Sequence, residues 1–331
     1  MTPMSFAGKI ALEEHFLPSE LEHLQPRFGA EDLVRDHIRR LIDVGDQRLA
    51  EMDELGIELA ALSFTSPGVQ GISGVDEAVA VAVQANDELA EILHRRPDRF
   101  IGFAALPMQD PDAAPAELDR AVRKLGCKGV LVNSSTDARE RGQGVFYDGP
   151  EYRDFWREVA RLKVPFYLHP RNPVPANLGL FAGRPELLGP TWAFAVETGT
   201  HALRLIVSGL FDEVPGLTVI LGHIGEFLPF GIERLQQRLA HYPGVSLERP
   251  PSEVLAQNFH VTVSGNYHTP SLIGAILQLG ADRILFAADY PFERMSDAVS
   301  WFDAAPISAA DRDKIGRTNA LKLLDIAAPV A

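Results

Sequence analysis

The fold class is decided by stretches such as Val164-Pro165-Phe166-Tyr167-Leu168-His169-Pro170, where a short apolar run ends in a histidine and a proline. The run is continuously apolar instead of alternating, which is typical of a strand buried on both faces of a parallel sheet. The runs of this kind are Lys9–Leu12, Leu59–Ser63, Ile101–Ala105, Gly129–Val132, Pro165–Leu168, Leu217–Leu221, His260–Val263 and Ile284–Ala287. They predict eight parallel β-strands.

Longer segments with apolar residues at helical spacing separate these runs. The predicted helices are Leu33–Leu55, Val75–His94, Asp112–Leu125, Tyr152–Leu162, Trp192–Phe211, Phe227–His241, Thr269–Leu279, Asp297–Asp303 and Ala309–Ile326. This alternation predicts an α/β fold, a (β/α)₈ TIM barrel in which residues 1–331 form a single domain with long βα loops. An open doubly wound sheet is the alternative, but the first run is not followed by its Gly-x-Gly-x-x-Gly turn.

The composition narrows the possible partners and the cellular location. The chain has 31 basic and 45 acidic residues and a net charge of −14, so it would repel nucleic acids and anionic membranes. Cys127 is the only cysteine, which excludes an internal disulfide and a thiolate-rich metal site. The N-terminal residues do not resemble a signal peptide, and no apolar run reaches the ~18 residues of a membrane span. We therefore expect a cytoplasmic protein with no nucleic-acid or membrane partner.

Polar residues stand where four of the predicted strands end. Glu13 and His15 follow the first run and point the same way in an extended chain, because strand side chains repeat every two residues. His169, His223 and Asp289 follow the fifth, sixth and eighth runs. The carboxyl ends of barrel strands meet at one face, where this fold places its active sites. The pattern predicts a pocket that holds a divalent metal ion.

Each of these residues could also have a purely structural role when it is taken alone. Asp289 could cap a helix, His169 could be a hydrogen-bonded core histidine, and His223 could bond to a loop. Glu13 and Glu14 could be a solvated pair. All of these roles would have to coincide at one end of one barrel, so the shared metal site is the better interpretation.

The same residues carry a resemblance to a known family. The matching segments are Gly8–Phe16, Arg96–Phe100, Val164–Pro173, Gly189–Phe194, Gly222–Glu226, Asp282–Phe286 and Asp289–Glu293. They resemble the amidohydrolase superfamily, in the decarboxylase branch related to aminocarboxymuconate semialdehyde decarboxylase. In that branch Glu13-Glu14-His15 replaces the usual His-x-His. The resemblance covers almost the whole chain and is strongest to the γ-resorcylate (2,6-dihydroxybenzoate) and 2,3-dihydroxybenzoate decarboxylases.

The resemblance implies one divalent metal ion and no organic cofactor. The implied ligands are Glu13, His15, His169 and Asp289. Two carboxylates and two imidazoles suit Mn²⁺ or Zn²⁺, whereas Mg²⁺ suits imidazole less well. The implied activity is the reversible, non-oxidative decarboxylation of an ortho-hydroxybenzoate to a phenol and CO₂. Such a carbon–carbon lyase would act in aromatic compound catabolism.

The resemblance also implies roles around the substrate, a small aromatic acid. Asp289 would protonate the ring carbon, and His223, oriented by Glu226, would poise the ortho hydroxyl or relay the proton. The residues implied or considered for substrate binding are Arg234, His169 and Phe28. From its position after the first strand, Phe28 would either line a ring pocket or pack the loop. A homotetramer or homodimer is implied, and the apolar segment Trp192–Phe211 would suit contact with another subunit.

Two points stay open at this stage. Asp289-Tyr290-Pro291-Phe292 and Ser66–Gln70 resemble the 2,3-dihydroxybenzoate enzymes, whereas His15 resembles the γ-resorcylate enzymes, so the isomer is undecided. The alternative activity is hydrolysis of an amide, lactone or ester by the same metal, with Asp289 as general base. The fourth strand ends in Val132-Asn133 without a lysine to bridge two metals, which counts against hydrolysis. A barrel that has lost its chemistry and serves only for binding is a third possibility.

Overall fold

The computed structural model of the protein describes residues 8–25, 30–137 and 143–327, and within them eight parallel strands form one barrel. The strands are β1 (Lys9–Phe16), β2 (Ile57–Phe64), β3 (Phe100–Ala104), β4 (Gly129–Asn133), β5 (Phe166–His169), β6 (Val219–Leu221), β7 (Phe259–Thr262) and β8 (Ile284–Leu285). Each strand pairs in parallel with the next one along the chain. All eight predicted strands are confirmed.

Helices cover the outside of the barrel and connect its strands. They are α1 (Glu31–Ile42), α2 (Asp46–Leu55), α3 (Val75–Arg95), α4 (Ala113–Arg123), α5 (Arg153–Leu162), α6 (Ala193–Val207), α7 (Leu210–Glu213), α8 (Leu228–Leu239), α9 (Pro251–Asn258), α10 (Thr269–Leu279), α11 (Met295–Ala304), α12 (Ala309–Asp313) and α13 (Asn319–Leu323). In the residues described, no helix combines the length and the apolar character needed to cross a membrane.

Three predicted helices are interrupted in the structure. The helix predicted over Leu33–Leu55 stops after Ile42, where the Asp43 side chain accepts a hydrogen bond from the backbone N–H of Gly45 at 2.8 Å. This local bond offers the chain a turn in place of another helical residue. Gly209, with φ of 76°, separates α6 from α7. The last predicted helix is split by a π-helical segment, Lys314–Thr318, and α9 was not predicted.

The core has two layers, one inside the barrel and one between the barrel and its helices. Ile10, Leu12, Phe103 and Tyr167 pack in the inner layer together with other strand residues. Leu324, which directly follows α13, also packs there, so the C-terminal segment closes the barrel end opposite to the carboxyl ends of the strands. The carboxyl ends are left for polar side chains, as expected for this fold.

Strand β1 carries an irregularity that decides where its polar residues point. Between Ala11 and Glu14, β1 uses one residue more than the facing segment of β2. Leu12 packs inside the barrel, and the extra residue allows Glu13 to face the interior as well. Strict alternation from Leu12 would instead bring Glu14 to the interior. The bulge therefore selects which of the two glutamates enters the pocket.

The barrel closes between β8 and β1, and we call this junction the seam. Two backbone hydrogen bonds cross it, from Leu12 N–H to the Phe286 carbonyl at 3.1 Å and from His15 N–H to the Tyr290 carbonyl at 2.8 Å. The second bond lies beyond the end of β8, next to Asp289. The first and last predicted site residues along the chain are therefore neighbours across the seam.

The fully buried His201 on α6 predicts a loss of stability in acid. Its Nε2 accepts the backbone N–H of Tyr147 at 3.1 Å, and burial, with a smaller effect of Arg204, lowers the pKa of His201 from 6.5 to about 3. The folded state therefore resists protonation of His201. The contribution of neutral His201 to the free energy of unfolding is fully present above pH 6.5 and is lost as the pH drops toward 3. At ~1.4 kcal/mol for each pKa unit, His201 should account for about 3 kcal/mol between pH 6.5 and 4.5.

Urea unfolding of His201→Gln at pH 7.5 and 4.5 checks this prediction. The variant should be less stable than the wild type at pH 7.5, and that difference should shrink by about 3 kcal/mol at pH 4.5. His94→Gln, at an exposed position on α3, should follow the wild type at both values. A His201→Gln difference that does not change with pH would contradict the assigned cause.

Candidate functional site

Four of the predicted residues meet at the carboxyl end of the barrel. Glu13 and His15 come from β1, His169 ends β5, and Asp289 follows β8. One potential ligand atom from each residue lies within 4.8 Å of those from the others. The His15 Nε2 to Asp289 Oδ1 distance is 3.4 Å, and the His169 Nε2 to Glu13 Oε1 distance is 3.2 Å. The predicted convergence is present, and Asp289 does not cap a helix because α11 begins only at Met295.

The donor atoms of this cluster fit a cation. Glu13 Oε1 and His15 Nε2 are buried and have no hydrogen-bond partner among the described residues. Buried polar atoms are nearly always paired, so two unpaired atoms that face the same point indicate a missing ligand. Carboxylate oxygen and imidazole nitrogen without any thiolate suit a borderline or hard divalent cation such as Mn²⁺ or Zn²⁺.

Each histidine of the cluster is oriented by a polar partner on the far side of its ring. The Ser63 hydroxyl lies 3.2 Å from His15 Nδ1, and Asn133 Oδ1 lies 2.8 Å from His169 Nδ1. An amide oxygen only accepts, so Nδ1 of His169 carries the proton and its Nε2 keeps a free lone pair toward the cluster. The backbone N–H of Asn133 in turn donates to Gln70 Oε1 at 3.0 Å, which fixes the strand end.

Replacing Asn133 should therefore weaken metal binding without removing a ligand. In Asn133→Leu the His169 ring loses its acceptor and its defined tautomer, so we expect Mn²⁺ affinity to fall by about 10–100-fold. Competition with a chelator measures this effect, and Asn133→Asp, which keeps an acceptor oxygen, should lose much less. Equal affinity of Asn133→Leu and the wild type would contradict the orienting role.

The second oxygen of Glu13 is held by hydroxyl groups. Tyr167 and Ser264 donate to Oε2, and the Thr262 hydroxyl donates at 3.1 Å. Burial alone would raise the pKa of Glu13, but the positive charge of His223, with smaller effects of the neighbouring histidines, outweighs burial and holds that pKa below its usual range. The carboxylate therefore stays ionised, with Oε2 bonded and Oε1 directed at the cluster.

His223 and Glu226 form a second unit beside the cluster. His223 Nδ1 lies 2.7 Å from Glu226 Oε1, and His223 Nε2 lies 3.6 Å from Asp289 Oδ2 and 3.7 Å from Glu13 Oε1. Burial would lower the pKa of His223, but the negative charges of Glu226 and Glu13 outweigh it and raise that pKa well above 6.5. The carboxylate of Asp289 thus faces His15 with one oxygen and His223 with the other.

An unusual backbone turn places this pair. All five residues from 223 to 227 have positive φ angles, between 51° and 77°, although only Gly225 is a glycine. The chain therefore makes a left-handed turn, in which His223 and Glu226, three positions apart, bring their side chains together. Gly265 leaves room for them, since a Cβ there would lie 3.2 Å from His223 Cδ2 and 3.4 Å from Asp289 Oδ2.

The structure does not bring all predicted residues to the cluster. Arg234 lies on α8 with an exposed side chain and lines a surface groove with Leu235, Arg238 and Tyr242. In this chain the face of α8 that carries Arg234 is turned to solvent, away from the cluster, so its contact with the substrate stays a prediction. Phe28 lies outside the described residues.

Sequence reasoning missed several residues that contact the site. Tyr167 lies on β5, Thr262 ends β7, and Ser264 follows β7. In the sequence, Tyr167 resembles an ordinary apolar core residue. The sequence carries no signal for its role, because only the barrel register brings its hydroxyl group to Glu13. Phe292 was also missed as a wall of the site, although its ring centroid lies 5.7 Å from that of His15.

Comparisons with known proteins agree with this geometry. The amidohydrolase family model matches residues 15–326. The chain is 50% identical over 322 residues to a γ-resorcylate decarboxylase from Rhizobium sp. (strain MTP-10005), covering 96% of this chain and 98% of that protein. The family prediction is confirmed, and these matches favour decarboxylation over the hydrolase alternative.

Solved structures extend the comparison to bound ligands. A 2,6-dihydroxybenzoate decarboxylase complexed with 2,6-dihydroxybenzoate superposes with a TM-score of 0.94 at 50% identity, over 96% of this chain and 99% of that chain. A dihydroxybenzoic acid decarboxylase from Polaromonas sp. JS666, with bound manganese and the inhibitor 2-nitroresorcinol, gives a TM-score of 0.91 at 46% identity, over 96% and 97%. With its barrel and its family match over most of its length, this chain belongs to the amidohydrolase family.

Proposed function

We propose that this protein is a metal-dependent, non-oxidative decarboxylase that converts 2,6-dihydroxybenzoate to the corresponding phenol and CO₂, reversibly. The observation that carries the proposal is the position of Asp289. Its Oδ1 lies 3.4 Å from His15 Nε2 in the cluster, and its Oδ2 lies 3.6 Å from His223 Nε2. One carboxyl group thus joins a cation site to a histidine that can supply a proton. The 50%-identical γ-resorcylate decarboxylases support 2,6-dihydroxybenzoate as the substrate.

The proposed metal ligands are Glu13, His15, His169 and Asp289, which the unpaired buried atoms of the cluster support. Manganese is our first choice because a structure of a 46%-identical relative contains it, and zinc fits the same donors. When bound, the metal would supply Lewis acidity and positive charge beside the substrate carboxylate. No organic cofactor is needed for this reaction in the proposal.

The side chains of the site account for the proton that the reaction requires. Breaking the bond between the ring and the carboxylate leaves its electron pair on the ring carbon, which must gain a proton. Asp289 would donate that proton, and His223 would restore it from Nε2, 3.6 Å away. Glu226 holds the opposite nitrogen of His223 at 2.7 Å and so keeps the ring directed at Asp289. The same path serves carboxylation in reverse.

An aromatic wall suits a ring-shaped substrate. The half-exposed ring of Phe292 lies 5.7 Å from the His15 ring and 5.3 Å from the His37 ring, at the edge of the metal cluster. Aromatic rings pack favourably at such separations, so Phe292 could cover one face of a bound benzoate. His169 and Phe28 remain further proposed substrate contacts.

The isomer 2,3-dihydroxybenzoate is the second candidate, because Tyr290 follows Asp289 as in the 2,3-dihydroxybenzoate enzymes. In the structure, however, the Tyr290 ring is buried and packs against the Arg48 guanidinium at 4.4 Å. Its contacts lie behind the site, on the side of α2, so this departure bears little on substrate choice. We therefore rank 2,6-dihydroxybenzoate first.

We further infer a homo-oligomer, either a dimer or a tetramer, that works in the cytoplasm in the catabolism of aromatic compounds. Exposed aromatic side chains on and next to α8, Phe230 and Tyr242, support contact with another copy of the chain. Arg234 lies in the same region and would then face a neighbouring subunit. The single buried Cys127 suits a reducing compartment.

Turnover by metal-reconstituted protein tests the proposal. The protein is stripped of metal, loaded with Mn²⁺ and incubated with 2,6-, 2,3- and 2,4-dihydroxybenzoate, a lactone and an amide, and the products are separated by chromatography. We expect phenol release from 2,6-dihydroxybenzoate at the highest rate, and none from the metal-free protein. Hydrolysis of the lactone or amide without any decarboxylation, in protein with bound Mn²⁺, would contradict the proposal.

A further inference from the structure

Two buried side chains outside the proposed site connect the strands that meet at the seam. Glu14 Oε1 accepts the backbone N–H of Ala288 at 2.8 Å. Arg48, on α2, donates from Nη2 to the carbonyl of His15 at 2.7 Å, and its guanidinium lies 4.4 Å from the centre of the Tyr290 ring. These contacts end on His15 itself and on the residues on both sides of Asp289. We call Glu14 and Arg48 the seam pair.

The seam pair is a poor device for stability alone. Both side chains are fully buried, and Glu14 Oε2 as well as Arg48 Nε and Nη1 have no hydrogen-bond partner among the described residues. Taking ionisable groups out of water is costly, and well-packed apolar replacements of buried charges are often neutral or stabilising. What the pair provides instead is a fixed geometry at the point where the barrel closes.

The seam needs such a connection because its backbone pairing is sparse. Beyond the end of β8, the two backbone bonds described above, to the carbonyls of Phe286 and Tyr290, cross the seam. Between them, the N–H of Ala288 is bonded by the Glu14 side chain instead of a strand neighbour. His15 Nε2 and Asp289 Oδ1 face each other across this junction at 3.4 Å. A small shift of one strand against the other would change that separation directly.

We propose that Glu14 and Arg48 are positioning residues that set the separation of His15 and Asp289 across the seam and thereby tune metal affinity. This inference rests on the proposed function, since it takes these two residues to be metal ligands. Neither member of the pair belongs to the cluster of proposed metal ligands. Glu14 acts through the N–H of Ala288, and Arg48 acts through the carbonyl of His15 and the ring of Tyr290.

Mn²⁺ titration of metal-free protein, followed by the electron paramagnetic resonance signal of free Mn²⁺, tests the proposal. Glu14→Met and Arg48→Met should each bind Mn²⁺ about 10–100-fold more weakly, as expected when groups that support metal ligands are lost. Glu14→Gln keeps an oxygen that accepts from Ala288 and should stay within about threefold of the wild type. Arg48→Lys keeps the charge but loses the planar guanidinium, and should fall between the wild type and Arg48→Met.

Arg40→Met is the matched control. Arg40 lies 5.8 Å from the Tyr290 ring and pairs with Asp36 and Glu51, but its side chain makes no bond to His15. This variant should keep wild-type Mn²⁺ affinity. The thermal midpoint of each metal-free variant is measured in parallel, because a purely structural role would lower the midpoint and leave the affinity of the folded protein unchanged.

Folded Glu14→Met and Arg48→Met proteins with wild-type Mn²⁺ affinity would overturn the proposal. The proposal would also be overturned if Glu14→Met, Arg48→Met and Arg48→Lys all failed to fold, because the seam pair would then serve the fold and not the site. A wild-type protein that binds no Mn²⁺ would instead contradict the proposed metal site, so the two failures are distinguishable.

Discussion

Asp289→Asn should lower the decarboxylation rate at saturating substrate by at least about 10³-fold, which is within the range that a positioned proton donor contributes. The amide keeps an oxygen toward His15 but has no carboxyl proton to give to the ring carbon. Mn²⁺ affinity should also fall, because Asp289 is a proposed charged ligand, so the rates are compared at Mn²⁺ concentrations that saturate each protein. Turnover of 2,6-dihydroxybenzoate and Mn²⁺ titration of the same preparation measure the two effects separately.

Asp297→Asn provides the control for this variant. Asp297 is an exposed carboxylate in the first turn of α11, so its replacement removes the same charge from the same region of the chain. Its activity should stay within about twofold of the wild type, because the lost interaction with the helix dipole is worth less than about 1 kcal/mol. An Asp289→Asn protein with bound Mn²⁺ that retains a tenth of the wild-type rate would rule out Asp289 as the proton donor.

Glu13→Gln should weaken Mn²⁺ binding by at least about 100-fold, because the variant loses a charged ligand and the attraction that comes with it. Its new amide group would also meet the hydroxyls of Tyr167 and Ser264, which are arranged to donate to a carboxylate. We expect no turnover at Mn²⁺ concentrations that saturate the wild type. Chelator competition gives the affinity, and the thermal midpoint of the metal-free protein shows whether the fold is intact.

Glu14→Gln is the matched control, since Glu14 is the next residue on the same strand and undergoes the same replacement of a carboxyl group by an amide. Its side chain faces away from the cluster and accepts from Ala288, a role that an amide oxygen can also fill. The comparison separates loss of a ligand from loss of a buried carboxyl group in β1. Mn²⁺ affinity of Glu13→Gln within tenfold of the wild type would mean that Glu13 is not a ligand.

The strands and the main site residues could be predicted because both depend on local sequence. A short, continuously apolar run between helical segments is typical of a strand covered on both faces, and the polar residue that ends such a run lies at the open face of a barrel. His169, His223 and Asp289 each follow this rule. The choice of Glu13 over Glu14 was predicted from its spacing to His15, although the bulge that makes it possible leaves no mark in the sequence.

Contacts between distant strands could not be predicted in the same way. Tyr167 is apolar in most of its surface, and only the barrel register shows that its hydroxyl reaches Glu13. Arg48 is a charged residue on a helix, where solvent exposure is the usual outcome, yet it is fully buried. The exposed position of Arg234 could not be predicted for a related reason, because the family resemblance does not say which face of α8 meets the site in a given subunit.

The left-handed turn at residues 223–227 has a consequence for engineering this protein. A non-glycine residue in that conformation costs roughly 1–2 kcal/mol, so a glycine at position 223 or 226 would favour the folded backbone. Either replacement would also delete the imidazole or the carboxylate that orients it. Relief of backbone strain in this turn and retention of the His223–Glu226 pair therefore compete, so selection for thermostability alone could favour substitutions that remove activity.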